Sequence, residues 1–555
     1  MVALDYITIV LCTLGILIAG ITFSKAGQSI KSFFAAGGNV PWWIGGLSLF
    51  MGFFSAGTFV VWGSIAYSYG LVAITIQACM CIAGFIIALL IAPRWKRTRV
   101  LTAAEYITSR LGINVQKTYT YLFLFISMFT TGSFLYPVAK ILEVSSGLPL
   151  YSAILLLGGI SILYVTVGGL RAVVVTDVLQ FVILTAAVLI VIPLSFDKVG
   201  GVSNFIDNVP DGFFKVFNGE YTLFFIIAYI LYNAVFLGGN WSYVQRYTTV
   251  ATQKDARKLG LLFGSLYVIS PILWMLPPML YRVYSPDLSG LADEGAYLLM
   301  CKEALPKGLL GMMIGGMIFA TASSLNGTLN ISAGVFTNDI FCRLKPNASN
   351  KTIMRVARLS TIGFGLLAVI VALLVPHMGG IVNVVISLGA LTGVPLYLPV
   401  IWTLFSRRIN SKAVMATTLI SLGINAVFKF VTPALFDFAL SRTEEMVLGV
   451  SLPTIMLILF ELWYRHTGYI DPRAAECEQA IMNREKQQQA SSPENIDEVK
   501  NNRYSIKVIG IGILSAGLMV ATLGIIDTGF KLGVTIIVGA ILVILGGFII
   551  LKAKK

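Results

Sequence analysis

Thr321, Ser323, Ser324, Thr328 and Ser332 place hydroxyl groups inside a run, residues 309–340, that is long and apolar enough to cross a bilayer. Positions i, i+3 and i+4 share one face of an α-helix, so the carbonyl of Ala320 and the hydroxyls of Ser323 and Ser324 can converge on one point. Neutral oxygens with no carboxylate among them suit a loosely held, hard monovalent cation rather than Zn2+ or Ca2+. Serine and threonine in membrane helices also bond back to their own backbone or to a neighbouring helix, and this segment alone leaves both readings open. A second feature is Asp177, in VTVGGLRAVVVTDVLQFVIL (165–184), about two turns inside a span and the one clear carboxylate at a central position. An acid at membrane depth marks an ion or proton path by default; the alternative is a buried acid held by Thr176 or Arg171. The amides of Gln77 and Asn233 also fall near mid-membrane, where each needs a partner.

The elements that carry these residues are membrane helices. The chain has 555 residues, 57% apolar and 12% charged, with a mean hydropathy of +0.85, which excludes an ordinary soluble protein. Runs sufficient for a ~30 Å hydrocarbon core recur near 5–23, 42–65, 70–93, 118–140, 150–167, 173–194, 221–239, 259–280, 309–340, 358–376, 381–405, 413–432, 446–464, 506–526 and 531–551, about fifteen in all. Gly52, Ser55, Ala56 and Gly57 lie in the middle of the second run, and Gly238-Gly239-Asn240 end the seventh. Small residues there mean either close packing or a helix that unwinds halfway and exposes carbonyls.

The net charge of +14 raises nucleic acid as a partner. With the N-terminus outside, however, cytoplasmic connections hold 31 of the 40 Lys and Arg and outer segments the other 9. That is the positive-inside bias of a multi-pass protein of the cell (inner) membrane, N-terminus out and C-terminus in, with lipid and not nucleic acid as its surroundings. The basic segment 94–112 reads as an interfacial amphipathic helix. Residues 465–505, charged and rich in Gln and Ser, read as a disordered cytoplasmic linker. The six cysteines show no paired spacing and no metal motif, and residues 5–23 read as a retained anchor. Without a metal triad, a nucleophile with its base or paired intramembrane carboxylates, an enzyme is disfavoured.

GGLRAVVVTDVLQ followed by ATASSLNGTLNISAGVFTND closely resembles the sodium:solute symporter family, over about residues 5–465. The resemblance implies an all-α polytopic protein with the inverted five-plus-five repeat of the leucine-transporter fold. Residues 1–25 would be an extra N-terminal helix, 42–194 and 221–405 the two repeats, 413–464 two peripheral helices, and 506–555 two C-terminal helices. The first helix of each repeat, 42–65 and 221–239, would be broken at mid-membrane, where the two glycine-rich stretches stand. The resemblance further implies a sodium site made of the carbonyls of Met51, Phe54 and Ala320 and the hydroxyls of Ser323 and Ser324, with Asp177 beside the sodium exit path. Asn326 and Gly327 replace the hydroxyls of a second sodium site found in some members, so one sodium per cycle is expected.

For solute, the matching positions are Ser55, Thr58, Gln77, Asn233 and Ile386, with Trp62 as outer and Phe236 as inner gate. Ile386 and Tyr267 replace polar groups of the galactose transporter, and Thr130 lies near the place of the arginine of sialic acid transporters. With no Arg or Lys expected to face the pocket, a small neutral polar solute such as a sugar or polyol fits, imported with sodium by a monomer or weak homo-oligomer. Other readings are an amino acid or carboxylate solute, proton coupling through Asp177, and a transporter-like sensor. His377 and His466 fall at opposite faces and offer no relay, and the linker is too short for a signalling domain.

Overall fold

The computed structural model describes residues 1–21, 40–100, 102–165, 170–490, 496–526 and 528–554. Gly168 and Gly169 of the GGLRAVVVTDVLQ stretch lie outside the described residues, as do the side chains of Arg171, Ser323 and Asn326. The described residues are predominantly helical, with these main helices: α1 Ala3–Ile21, α2 Trp42–Phe53, α3 Ala56–Tyr69, α4 Leu71–Arg97, α5 Ala103–Leu111, α6 Ile113–Ser146, α7 Leu150–Val165, α8 Leu170–Val199, α9 Leu223–Gly239, α10 Trp241–Thr249, α11 Gln253–Tyr284, α12 Leu309–Val335, α13 Asn350–Leu374, α14 Gly380–Thr403, α15 Ser411–Phe436, α16 Arg442–His466, α17 Pro472–Ala490, α18 Ile496–Gly524 and α19 Gly529–Lys554. Among the described residues, ten helices are long and apolar enough to span a membrane, or twelve if each bent pair is one span. The expected count of about fifteen is not reached on that measure; the other three runs contain shorter apolar helices, Ala3–Gly15, Leu150–Gly159 and Leu309–Thr321.

The bent pairs are α2–α3, at 58°, and α9–α10, at 61°. Local chemistry makes each break. Phe54 and Ser55 are extended, and the Ser55 hydroxyl accepts from Gly57 N while Thr58 Oγ1 accepts from Ser55 N, a capping box that restarts the helix at once. At the second break one residue, Asn240, leaves the helix, and its Oδ1 accepts from Ser242 N to start α10. Freed carbonyls there are taken up by neighbours: Trp95 Nε1 donates to Gly238 O at 2.7 Å and the Tyr247 hydroxyl to Leu237 O at 2.9 Å. Gly239 is required, because a Cβ at that position would lie 2.5 Å from Tyr397 Cβ.

The segment after α16 differs from one expectation. Much of 465–505 is helical, as α17 and the start of α18, rather than a disordered linker. Polarity there serves pairing: Asp471 meets the buried Arg110 guanidinium, Glu478 meets Arg407 at 2.8 Å, and Arg484 meets Glu105 at 2.7 Å. Arg110 is 3% exposed and also donates to the carbonyls of Ser406 and Ile409. Composition alone reads such a segment as solvated; two of its partners, Arg110 and Glu105, lie more than 300 positions away in sequence.

Candidate functional site

Between the two breaks lies a cavity of about 160 Å³, measured as the volume open to the centre of a water molecule. One water needs roughly 10–15 Å³ on that measure, so a small solute has room. One side is the first break meeting α12. Thr321 Oγ1 accepts from the backbone N–H of Ala56 at 2.8 Å, pinning the restart of α3 to α12. The Ser324 hydroxyl, 8% exposed, lies 3.4 Å from the carbonyl of Ala320 and 3.5 Å from that of Gly52. The first contact is the back-bond expected of any serine in a membrane helix. The second crosses between helices and gathers oxygens of α2 and α12 into one place. Gly52 O is the carbonyl brought to Ser324; Met51 and Phe54, one residue before it and two after, are fully buried. These are neutral donors of the kind a hard monovalent cation takes.

Asp177 is 0% exposed. Its partners include the Ser48 hydroxyl of α2, donating at 2.6 Å, and Arg246 of α10, whose Nη2 stands 3.8 Å away. Arg246 Nε also donates to Ser48 Oγ at 3.2 Å and Nη1 to Ser242 O at 2.9 Å. The carboxylate is thus a joint between α8, α2 and α10, the second half of the second broken span. Arg246 lines the cavity, which corrects the expectation that no Arg or Lys faces it. The arginine reads from sequence as one of the positive-inside charges, but its side chain turns back over Gly52, where a Cβ would lie 2.8 Å from Nη2.

Of the solute positions named from sequence, Ser55, Thr58 and Ile386 line the cavity, as do Trp62 and Phe236. Gln77 and Asn233 are buried but absent from the lining. Asn233 Nδ2 donates to Tyr229 O at 2.8 Å, and its Oδ1 has no hydrogen-bond partner. Trp62 faces Tyr229 with centroids 6.1 Å apart, and Phe236 contacts Phe53, Tyr243 and Tyr397 at 5.8–6.3 Å. Sequence reasoning named only Phe236 and Thr130 of two stripes that the structure brings to the wall. Tyr229, Tyr232 and Phe236 stack along α9 at 5.5–5.6 Å, and Phe123, Ser127, Thr130 and Phe134 follow one face of α6. Both have helical spacing, the signal that could have found them.

Two spans broken at mid-membrane around one cavity, with ion-type oxygens at the first break and aromatic rings at the second, define a secondary transporter. The chain belongs to the sodium:solute symporter family, whose model matches residues 33–421. It is 28% identical over 468 residues to sodium/myo-inositol cotransporter 2 of Mus musculus, covering 76% of this chain and 69% of that one. To sodium/glucose cotransporter 1 of Mus musculus it is 25% identical over 493 residues, covering 79% and 73%. Among solved structures, a Na+-coupled sialic acid symporter in a substrate-bound outward-open state superposes with a TM-score of 0.69 at 23% identity, covering 83% of this chain and 97% of that one. The fold is leucine-transporter-like, and the protein is a multi-pass sodium-coupled symporter rather than an enzyme, with Na+ as coupling ion.

Proposed function

We propose that the chain imports a small neutral polar solute, a cyclitol, sugar or related polyol, together with one sodium ion, by alternating access. The observation that carries this reading is the cavity wall. Aromatic faces from α9 and α10 share the wall with neutral hydroxyls from α3 and α6, and the one cationic side chain among the described lining residues, Arg246, is engaged by Asp177 and Ser48. Carbon faces of a polyhydroxylated ring stack on aromatics while its edge hydroxyls find Ser, Thr and Tyr partners. The relatives named for myo-inositol and glucose cotransport agree with that chemistry.

Sodium sits, on this reading, among the carbonyls of Met51, Phe54 and Ala320 and the hydroxyls of Ser323 and Ser324, with Gly52 O adjoining Ser324. Its oxygens come from two helices, so occupancy favours the arrangement in which α2 and α12 approach, and this differential affinity couples ion to solute. Asp177 lies on the sodium path, and its bond to Arg246 holds the inner half of α10 against α2 until the ion passes. Residues 42–194 and 221–405 form the two inverted repeats, with the N-terminus outside and the C-terminus inside. One charge crossing ~100 mV releases ~2.3 kcal/mol and a tenfold gradient ~1.4 more, enough to concentrate a neutral solute a few hundredfold.

The test is uptake into proteoliposomes of a panel of cyclitols, hexoses, amino acids and monocarboxylates, in sodium and in potassium medium. Sodium-dependent uptake of a neutral member is expected; equal uptake in potassium overturns the coupling. Arg246 at the wall favours one second reading, a carboxylate solute, and preferential uptake of the monocarboxylates would establish it in place of the first.

A further inference from the structure

The wall of the cavity opposite the first break is formed by α14, and its middle, Gly389–Gly393, is a π-turn. Such a turn widens the helix and misaligns its carbonyls. A neighbouring span meets that need: Asn425 of α15 donates through Nδ2 to Leu391 O at 3.1 Å and lies 3.5 Å from Ala390 O. The next span closes in further. A Cβ on Gly449 of α16 would stand 2.1 Å from Ala390 O, so the α16 backbone rests directly on the π-turn. From the cavity side Tyr232 lies on the same turn, where a Cβ on Gly389 or Gly393 would come within 2.8 or 2.3 Å of its side chain. The glycines leave this part of the wall thin.

Met446 sits one turn before Gly449 on the same face of α16. It is fully buried, yet it borders the cavity together with Ile386 and Gly389. Its neighbour Glu445 fixes the rotation of the helix, bonded to Lys429 Nζ at 2.7 Å and to Ser387 Oγ at 3.2 Å.

We propose that Met446 is a specificity-determining residue of the solute site, supplied by a span outside the two sets of five that begin with the broken helices, and that it selects a solute presenting a carbon face at that wall. The thioether is polarisable and apolar and donates no hydrogen bond, so a solute hydroxyl turned toward it loses its water without gaining a partner. A ring C–H face or a deoxy position does not incur that loss. The inference rests on the cavity being the solute site, and the experiment separates the two.

Single cysteines replace Met446, Thr392 and Val450 in a cysteine-depleted full-length protein in proteoliposomes, labelled with the water-soluble thiol reagent methanethiosulfonate ethylammonium. Thr392 lines the cavity, while Val450 is buried on α16 away from it. Met446→Cys is expected to react within about tenfold of Thr392→Cys and more than about tenfold faster than Val450→Cys. A rate as slow as that of Val450→Cys, with Thr392→Cys reactive, overturns the inference alone. Silence at both 392 and 446 overturns the reading of the cavity as well. Met446→Thr is then compared with wild type for sodium-driven uptake of cyclitols, hexoses and their monodeoxy analogues. KM ratios are expected to move by about tenfold toward the fully hydroxylated members, with maximal rates retained. A uniform change across the panel would make Met446 structural only; no uptake of any member would break the neutral-solute reading and leave the labelling result to decide the wall.

Discussion

The two broken spans bend by nearly the same angle, 58° and 61°, yet they are finished with different chemistry. The first break is closed by hydroxyls, Ser55 on its own backbone and Thr321 from α12, and among the described residues no charged side chain bonds to the break itself. The second is closed by an amide, Asn240, whose Nδ2 reaches the Tyr397 hydroxyl at 3.2 Å, and it carries Arg246 six residues further on. Neutral oxygens at the first break can be handed to an ion and returned to the backbone at small cost. The charge beyond the second needs a permanent partner at membrane depth and finds it in Asp177. On the proposed reading, one geometry serves as an ion seat in one place and as a lock in the other.

The largest test breaks the lock. Arg246→Ala removes a guanidinium from beside a fully buried carboxylate, and a loss of about 3–5 kcal/mol is expected. Thermal unfolding of the purified protein measures it, and Asp177→Asn in the same chain should return much of the loss. A single variant as stable as wild type would mean that charge does not organise the second half.

Next in size is the ion seat. Ser324→Ala should raise half-activating sodium about tenfold, or ~1.4 kcal/mol, with solute KM at saturating sodium unchanged. A variant that loses only stability would return Ser324 to the role of a back-bonded helix serine.

The caps sharpen the contrast. Ser55→Ala and Asn240→Ala should each cost about 1 kcal/mol of stability, with the first felt in sodium activation and the second in solute KM. Identical kinetic signatures would erase the distinction between the breaks.

The smallest effect lies outside the membrane. Asp293 accepts from Ser64 and Ser68 of α3, and Glu294 accepts from Tyr136 and from the backbone N–H of Ile381. Burial raises the pKa of both carboxyls, only partly offset by those donors and by Lys140, and the Asp293 charge raises that of Glu294 further. A carboxyl with a raised native pKa fits its site best when protonated. Its contribution is therefore present below the unfolded pKa and lost as pH rises through the native one. Asp293→Asn with Glu294→Gln should flatten the pH profile of the thermal midpoint; an unchanged slope would remove these acids from the account.

Much of this was readable from residue order. Hydrophobic runs located the helices, because a bilayer core demands them. Gly52 to Gly57 and Gly238 to Asn240 marked both breaks, because an unwound turn needs small residues and capping side chains. Ser55, Thr58, Trp62, Phe236 and Ile386 were placed at the cavity through resemblance to the family, and the structure brings them there. Arg246 was not, because the positive-inside pattern already explained it, and neither was helix α17, whose charges look solvated until Arg110 and Glu105 come alongside.

By itself, then, the sequence determined the polytopic helical fold, the breaks and the hydroxyl-rich face of α12, since each follows from local periodicity or from residue types within a few positions. Tertiary structure alone decided that Asp177 meets Arg246, that Gln77 and Asn233 stand behind the wall, and that Met446 reaches it. Those outcomes depend on helix rotation and on where a missing Cβ lets two backbones touch, as Gly449 does on Ala390, and such distances are not encoded at any single position.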